Sequence, residues 1–278
     1  MIRLATAIAA VPPAGAALLA LAVCSPHAGA EPPFCADRPH LVATADLAQI
    51  AAKAAEREGA GGLRRLWGRE NLSVLPKEPE TSGPVLRVRY PRGSVNPGTA
   101  EAPRGGAGFE LAWPPGEARC LSYRLRFPAG FAFVKGGKLP GLFGGDAPRG
   151  CGAAEFSKGF SARLMWRTDG AGELYLYAPD RTSRCGESIE RGSWTFATGR
   201  WLTVSEEIVL NTPGRSDGVA RIWIDGAKVV ERTNLMLRDE SGIKVDGLLF
   251  STFFGGSDES WASPGDQYAD FADFVLRE

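Results

Sequence analysis

Hydrophobic and polar residues alternate with a period of two from about residue 84 onward, a pattern typical of half-buried β-strands. Clusters of glycine, proline, aspartate and serine separate the segments, and Gly170 to Gly172 and Asp225-Gly226 predict hairpin turns. Strands without intervening helices predict an all-β fold, an antiparallel two-sheet sandwich such as a β-jelly roll. The predicted strands are Val85–Tyr90, Leu121–Phe127, Phe160–Trp166, Glu173–Tyr177, Leu202–Leu210, Ala220–Ile224 and Leu248–Phe253.

The residues before this region follow a different pattern. Residues 31–43 predict an irregular arm, after which Thr44 is the candidate N-cap of one short helix that ends at the glycines from Gly59 to Gly62. We therefore expect an N-terminal arm over residues 31–83, docked on a domain of residues 84–278. The apolar residues at helical spacing are Leu47, Ile50, Ala51 and Ala54.

The first thirty residues have the pattern of a secretory signal peptide. Arg3 precedes an apolar run that ends near Val23, and the small residues from Ala28 to Ala30 form a cleavage site before Glu31. We exclude this segment from the fold and expect a secreted, extracellular protein.

The cysteines that follow the predicted cleavage site are even in number, and export favours disulfides. No two of them lie within five residues of each other, which disfavours a metal site. Of the three possible pairings we favour Cys151 with Cys185, on either side of a predicted hairpin, and Cys35 with Cys120, between the arm and the domain.

The composition excludes several classes of function. The 278 residues include 32 basic and 32 acidic side chains, so there is no basic excess for nucleic acid, and no second apolar run is long enough for a membrane span. The only histidines are His27, in the predicted signal, and His40, in the arm. Histidine-dependent triads and metal sites are therefore not expected, and neither is a cofactor.

The hairpin from Phe160 to Tyr177 carries the candidate chemistry. Alternation directs its apolar residues, Trp166 among them, to the core. Arginine binds carboxylates with two parallel hydrogen bonds and tyrosine offers a ring and a hydroxyl, so the opposite face suits an anionic sugar chain. A solvated face with cross-strand pairs is the alternative. The residues predicted on that face are Ser161, Arg163, Met165, Glu173, Tyr175 and Tyr177.

The length of the hairpin loop decides which tyrosine lies opposite Arg163. An odd residue count places a tyrosine there, and loops of residues 169–171 or 168–172 select Tyr177. On this basis Tyr177 is slightly favoured over Tyr175 as the residue that transfers a proton.

The stretch from Phe131 to Gly145 sets two lysines between apolar residues and glycines. It predicts a short strand to Lys135, a bend at Gly136-Gly137 and a second extended segment that carries Lys138. An ordinary turn with solvated lysines is the alternative.

Taken together, five segments of the sequence resemble polysaccharide lyase family 14 and the related glucuronan lyases over roughly residues 84–278. The resemblance implies a jelly roll that binds a polyuronate such as alginate or glucuronan and cleaves it by β-elimination. The segments are residues 135–142, 161–163, 175–177, 246–256 and 268–274. The functional positions that the resemblance implies are Lys138, chosen over Lys135 because it precedes Leu-Pro-Gly-Leu, and Ser161, Arg163, Tyr175 and Tyr177.

In such a reaction Arg163 and Lys138 are expected to neutralise the uronate carboxylate while a tyrosine acts as acid or base, without metal or cofactor. Lys135, Glu173 and Trp261 are further expected contacts with the acidic polysaccharide. Trp261 lies in a polar loop, whereas Trp113, Trp166, Trp194, Trp201 and Trp223 are expected in the core. We expect a monomer with no nucleic-acid or membrane partner.

Two competing functions fit the same fold. A carbohydrate-binding jelly roll without catalysis keeps the groove and lacks turnover. A glycoside hydrolase needs two carboxylates on either side of the bond. Glu206 and Glu207 are adjacent and point to opposite faces of a strand, and Glu155 with Glu173 is only a loose pair.

Overall fold

The computed structural model describes residues 35, 40–47, 49–50, 53, 63–151, 158–256 and 258–278. The predicted signal peptide and most of the predicted helix lie outside the described residues. Helical conformation is present at Leu47, Gln49, Ile50 and Lys53. Among the residues described, no helix is long and apolar enough to cross a membrane.

Two antiparallel sheets pack face to face. Sheet A has the strand order β13-β12-β11-β6-β15-β4-β3, with β1 paired to β15. Its strands are β1 (Leu41–Ala45), β3 (Leu72–Leu75), β4 (Val85–Tyr90), β6 (Ala118–Arg126), β11 (Leu202–Val209), β12 (Gly218–Ile224), β13 (Ala227–Leu235) and β15 (Gln267–Arg277).

Sheet B has the order β10-β9-β8-β7-β14-β5-β2. Its strands are β2 (Leu63–Trp67), β5 (Ala107–Gly116), β7 (Gly136–Gly145), β8 (Gly159–Arg167), β9 (Gly172–Tyr177), β10 (Glu187–Ile189) and β14 (Val245–Phe254). All seven predicted strands are present, and the two-sheet all-β prediction is confirmed.

Aromatic rings from the two sheets meet in the core. Phe250 of sheet B lies 5.1 Å from Phe271 of sheet A, and Trp166 lies 6.1 Å from Tyr90, measured between ring centroids. Burying one large apolar side chain contributes roughly 1.5–3 kcal/mol. Because Trp166 is fully buried, β8 is held with its apolar face inward and with Arg163 facing out of the sandwich.

The segment expected as an irregular arm contributes to both sheets. Thr44 lies within β1 and pairs with Val275, so it is not the helix N-cap. That role falls to Asp46, whose Oδ1 accepts a hydrogen bond from the Gln49 amide at 3.2 Å. The short edge strand β2 was not predicted because Arg64 and Arg65 interrupt the alternation.

The predicted bend at Gly136-Gly137 is wrong. Both residues belong to β7, which continues to Gly145 without a turn. Gly137 is needed for packing, since a Cβ there would lie 2.0 Å from the Trp166 ring. The glycines thus allow β7 to pass over a buried indole.

A bulge in β7 sets the direction of Lys138. The pairing with β8 steps from Lys138–Met165 to Gly141–Arg163, so β7 has one residue more than its partner. As a result Leu139 and Leu142 both face the core while Lys138 faces outward. Without the extra residue the alternation would turn one of these leucines out of the core.

Polar groups from sheet A satisfy the backbone at this bulge. The Tyr123 hydroxyl donates to the Pro140 carbonyl at 3.2 Å, and the Leu142 amide donates to Glu206 Oε2 at 3.0 Å. Glu206 is fully buried, and burial raises its pKa well above the ordinary value, against the smaller effect of the Leu142 amide. The Glu206 carboxyl group of sheet A thus contacts the strand of sheet B that carries Lys138.

Candidate functional site

An open cleft of about 580 Å³ lies over the outward face of sheet B. Its floor is formed by side chains from four neighbouring strands, and its rim by Trp67 at the end of β2 and by the segments that carry Arg149 and Trp261. The floor residues are Lys138 on β7, Arg163, Met165 and Arg167 on β8, Tyr175 and Tyr177 on β9, and Ser251 and Phe253 on β14.

The register between β8 and β9 places Tyr175 opposite Arg163 and Tyr177 opposite Ser161. The prediction that Tyr177 lies opposite Arg163 is therefore wrong. Five residues connect Trp166 to Gly172, an odd number as expected, but the loop is centred one residue earlier than either predicted loop. Asp169 and Gly170 make the turn with φ angles of 57° and 78°.

Lys138 is the lysine that enters the cleft. Its side chain is only 8% exposed, its Nζ contacts Met165 Sδ, and it lies 3.3 Å from the centroid of the Tyr175 ring. Burial, followed by the charges of Arg163 and Arg167, lowers the pKa of Lys138 well below the usual lysine value. The amine is thus biased toward its neutral form.

Arg163 is a second buried cation, 2% exposed. Its guanidinium carbon lies 5.5 Å from the Tyr177 ring centroid, Nη1 is 3.4 Å from Ser251 Oγ, and Nε has no hydrogen-bond partner in the described part of the chain. Burial lowers its pKa to about 10, although the tyrosine hydroxyls oppose the shift. Unused donors of a buried guanidinium are suited to an incoming anion.

Tyr175 lies on the cleft floor, against Lys138 and opposite Arg163. Its ring meets Tyr177 edge-on, with centroids 5.5 Å apart and an interplanar angle of 79°. Burial, followed by the neighbouring Tyr177, raises the pKa of Tyr175 to about 12. The hydroxyl therefore keeps its proton across the neutral range.

Glu173 does not line the cleft, in contrast to the predicted substrate contact. It is fully buried, accepts a hydrogen bond from Arg167 Nη2, and accepts another from the Ser188 hydroxyl on β10. Arg167 is thereby held in an ion pair, with its guanidinium carbon 5.9 Å from the Trp261 ring centroid. Among the described residues, no acidic side chain forms an equivalent ion pair with Lys138 or Arg163.

Ser161, one of the functional positions expected from the sequence, does not reach the cleft. The side chain is fully buried, does not line the cleft, and donates to the Pro148 carbonyl at 2.6 Å. Lys135 lies outside the cleft, where it donates to Ser260 and lies 5.9 Å from the Trp261 ring centroid. Of the expected residues, the structure brings Lys138, Arg163, Tyr175, Tyr177 and Trp261 together.

Several cleft residues were not predicted as site residues. Met165 and Arg167 continue the alternation of Ser161 and Arg163, so extending β8 by one residue would have identified Arg167. Trp67 and Phe253 come from distant parts of the chain and meet edge-on at 5.8 Å. No local pattern marks such a pair.

Both predicted disulfides are confirmed. Cys35 bonds to Cys120 and Cys151 to Cys185, with Cα atoms 5.5 and 4.3 Å apart. The second bond lines the cleft. Within the described ranges, no three histidine, cysteine, aspartate or glutamate side chains form a cluster that would hold a metal ion.

The family model for polysaccharide lyase 14 matches residues 78–274. The chain belongs to polysaccharide lyase family 14. This confirms the family that the sequence motifs indicated and makes the protein an enzyme, a polysaccharide lyase. No curated protein sequence matches the chain.

Solved structures agree with the family. The PL-14 alginate lyase from Aplysia kurodai is 31% identical, with a TM-score of 0.69 over 85% of this chain and 97% of that one. The alginate lyase vAL-1 from Chlorella virus is 23% identical, with a TM-score of 0.68 over 86% and 99%. The glucuronan lyase from Trichoderma reesei is 15% identical, with a TM-score of 0.51 over 79% and 92%. The polysaccharide lyase described here shares their β-jelly roll.

Proposed function

We propose that this polysaccharide lyase cleaves a polyuronate of the alginate or glucuronan type by β-elimination. One observation carries the proposal: Arg163 is a buried cation in an open cleft beside residues that include Lys138, and it has no acidic partner among the described residues. Buried cations without a counter-charge are costly, and a bound carboxylate supplies the missing negative charge. The matched alginate and glucuronan lyases support a uronate as that carboxylate.

Arg163 is the residue that binds the uronate carboxylate in this proposal. Its guanidinium offers a planar set of donors, and Nε has no protein partner. Loss of the C5 proton converts the carboxylate into an enolate with more charge on its oxygens. A fixed cation at those oxygens therefore stabilises the transition state more than the bound substrate.

Lys138 is the base. A general base must lose its own proton near the working pH, and burial beside Arg163 and Arg167 lowers the pKa of Lys138 in that direction. The neutral amine takes the C5 proton, the electron pair forms the C4=C5 double bond, and the bond from C4 to the glycosidic oxygen breaks. In the sequence interpretation Lys138 neutralised the carboxylate and a tyrosine acted as acid or base, so this assignment gives Lys138 a different role.

Tyr175 is the acid. Its pKa of about 12 means that the hydroxyl stays protonated, and its ring lies against Lys138. It donates a proton to the glycosidic oxygen as that oxygen leaves C4. Lys138 thus removes a proton from C5, and Tyr175 gives a proton to the glycosidic oxygen. The reaction is balanced without the addition of water.

We further propose that the enzyme is exported. Two disulfides in one chain favour an oxidising compartment. The N-terminal segment has the features of a secretory signal.

A substrate panel tests the proposed function. Purified enzyme is incubated with polymannuronate, polyguluronate, glucuronan and a neutral glucan, and the ultraviolet absorbance of an unsaturated uronate is followed. At least one polyuronate should give rising absorbance and the neutral glucan none. Binding of every polyuronate without absorbance would instead support a carbohydrate-binding protein that lacks turnover.

A further inference from the structure

The rim of the cleft beside Ser161 is a segment that contacts with other parts of the chain hold in place. In residues 146–151, called the rim segment here, the Asp146 carbonyl accepts from Arg65 Nη1 at 3.2 Å and the Pro148 carbonyl accepts from Ser161 at 2.6 Å. The disulfide from Cys151 to Cys185 fixes its far end. These three attachments hold the segment against sheet B.

Arg149 is the charged side chain that this segment presents to the cleft. It lines the cleft with 34% of its side chain exposed and forms an ion pair with Glu110 through Nη2. The described residues give it no second hydrogen-bond partner. Since a guanidinium has five N–H donors, most of them remain available to a ligand.

Glu110 cannot neutralise Arg149 by itself. This carboxylate is 2% exposed and is shared with Arg65 at 3.0 Å and Arg64 at 3.5 Å. Three cations therefore surround one anion, and the group keeps an excess of positive charge. The residue in that group that faces the cleft is Arg149.

The basic side chains of the cleft form a row along β8. Arg163 and Arg167 alternate along the strand, and Lys138 lies opposite Met165 between them. The rim segment adds Arg149 beyond Arg163, at the Ser161 end, and the charge of Arg149 is close enough to lower the pKa of Arg163 after the larger effect of burial. A row of cations matches a polymer that carries one carboxylate on every sugar.

We propose that Arg149 binds the carboxylate of a second uronate residue, adjacent to the residue whose carboxylate Arg163 binds. This rests on the proposed function. Ser161 then acts as a positioning residue, since its hydroxyl holds the rim segment next to Arg149. The Glu110 ion pair fixes the orientation of the guanidinium, so that less conformational entropy is lost on binding.

Steady-state kinetics with uronate oligosaccharides of increasing length test the subsite. Arg149→Gln should raise KM about tenfold for oligomers long enough to reach both arginines and leave kcat nearly unchanged, because a ground-state contact is lost. For the shortest cleaved oligomer the effect should disappear. Arg149→Lys keeps the charge and lacks the planar set of donors, so its KM should lie between those of wild type and Arg149→Gln.

Arg64→Gln is the matched control. It removes one positive charge from the same Glu110 group, but Arg64 does not line the cleft, so KM should stay within about twofold. An unchanged KM in Arg149→Gln, or an equal rise in Arg64→Gln, overturns the subsite. If Arg149→Gln does not fold, Arg149→Lys decides in the same way. Wild-type enzyme that releases no unsaturated product would overturn the proposed function itself and not only the subsite.

Discussion

Lys138 Nζ lies 3.3 Å from the centroid of the Tyr175 ring, on the face of sheet B that forms the cleft floor. The two side chains come from β7 and β9, with β8 between them. Their opposite pKa shifts, downward for the amine and upward for the phenol, make one a proton acceptor and the other a proton donor at the same pH. This pairing is the basis of the acid–base assignment.

The pH profile of kcat/KM should reflect the ionisation of Lys138 and of Arg163. Lys138 is active when neutral, so the rate should rise with pH and level off below the usual lysine pKa, since the pKa of Lys138 is lowered. Arg163 is active when charged, and its pKa of about 10 places the loss of activity at alkaline pH. A rate that keeps rising through the ordinary pKa of lysine would contradict Lys138 as a depressed-pKa base.

Replacing Lys138 with methionine tests the base directly. Lys138→Met keeps the length of the side chain and removes the amine, and we expect kcat to fall by about 10²–10⁴-fold, the usual contribution of a general base. Lys135→Met is the matched control, because Lys135 lies outside the cleft, and it should keep kcat within about twofold. Similar losses in both variants would remove the special role of Lys138.

Removing one hydroxyl distinguishes the two tyrosines. Tyr175→Phe should lower kcat by about 10²-fold or more with little change in KM, because the ring remains and the proton donor is lost. Tyr177→Phe should have a smaller effect, since Tyr177 lies opposite Ser161 and away from Lys138. Steady-state kinetics of both variants provide the comparison. A larger loss in Tyr177→Phe would reverse the assignment.

The buried Glu206 should make stability depend on pH. Its pKa is raised in the folded protein, so folding retains a proton that the unfolded chain loses above the ordinary value of 4.5. The free energy of unfolding should then decrease with rising pH, by up to about 1.4 kcal/mol per pH unit from this group. Glu206→Gln keeps an acceptor for the Leu142 amide and lacks the titration.

Urea denaturation of both proteins between about pH 5 and about pH 8 gives the difference. The free energy of unfolding of Glu206→Gln should increase relative to that of wild type as pH rises. A difference that stays constant across this range would show that Glu206 is not protonated in the fold.

The two disulfides should respond differently to mild reductant. Cys35 is fully buried, whereas Cys151 is exposed at the rim, so the bond between Cys151 and Cys185 should open first. Releasing the rim segment should raise KM before the folded structure is lost. Timed thiol titration alongside activity and thermal melting checks the order. Loss of melting cooperativity before any change in KM would contradict it.

The strands and their outward residues could be predicted from local alternation. Arg163 and Tyr175 were placed on one face because each strand has a period of two, and that period does not depend on the partner strand. The pairing between them depended on the turn, which lies at Asp169 and Gly170, both with positive φ angles, and not at the predicted Gly170 to Gly172. A one-residue shift of the loop centre therefore chose the wrong tyrosine.

Other features depend on residues far apart in the chain. Glu173 is buried because Arg167 on the neighbouring strand and Ser188 on β10 occupy both of its oxygens. The direction of Lys138 depends on a bulge that Glu206 and Tyr123 support from the opposite sheet. Alternation along one strand cannot report such contacts, whereas the family motifs located Lys138 and Arg163 without them.

Mass spectrometry of the digest products distinguishes β-elimination from hydrolysis directly. β-Elimination leaves an unsaturated sugar at the new non-reducing end, so the fragment that carries this end should be lighter by one water than the corresponding hydrolysis product and should absorb in the ultraviolet. Wild-type enzyme should give this unsaturated product, and Lys138→Met should give a strongly reduced yield of it. Fragments whose new non-reducing end is saturated and contains the added water, from either protein, would contradict β-elimination.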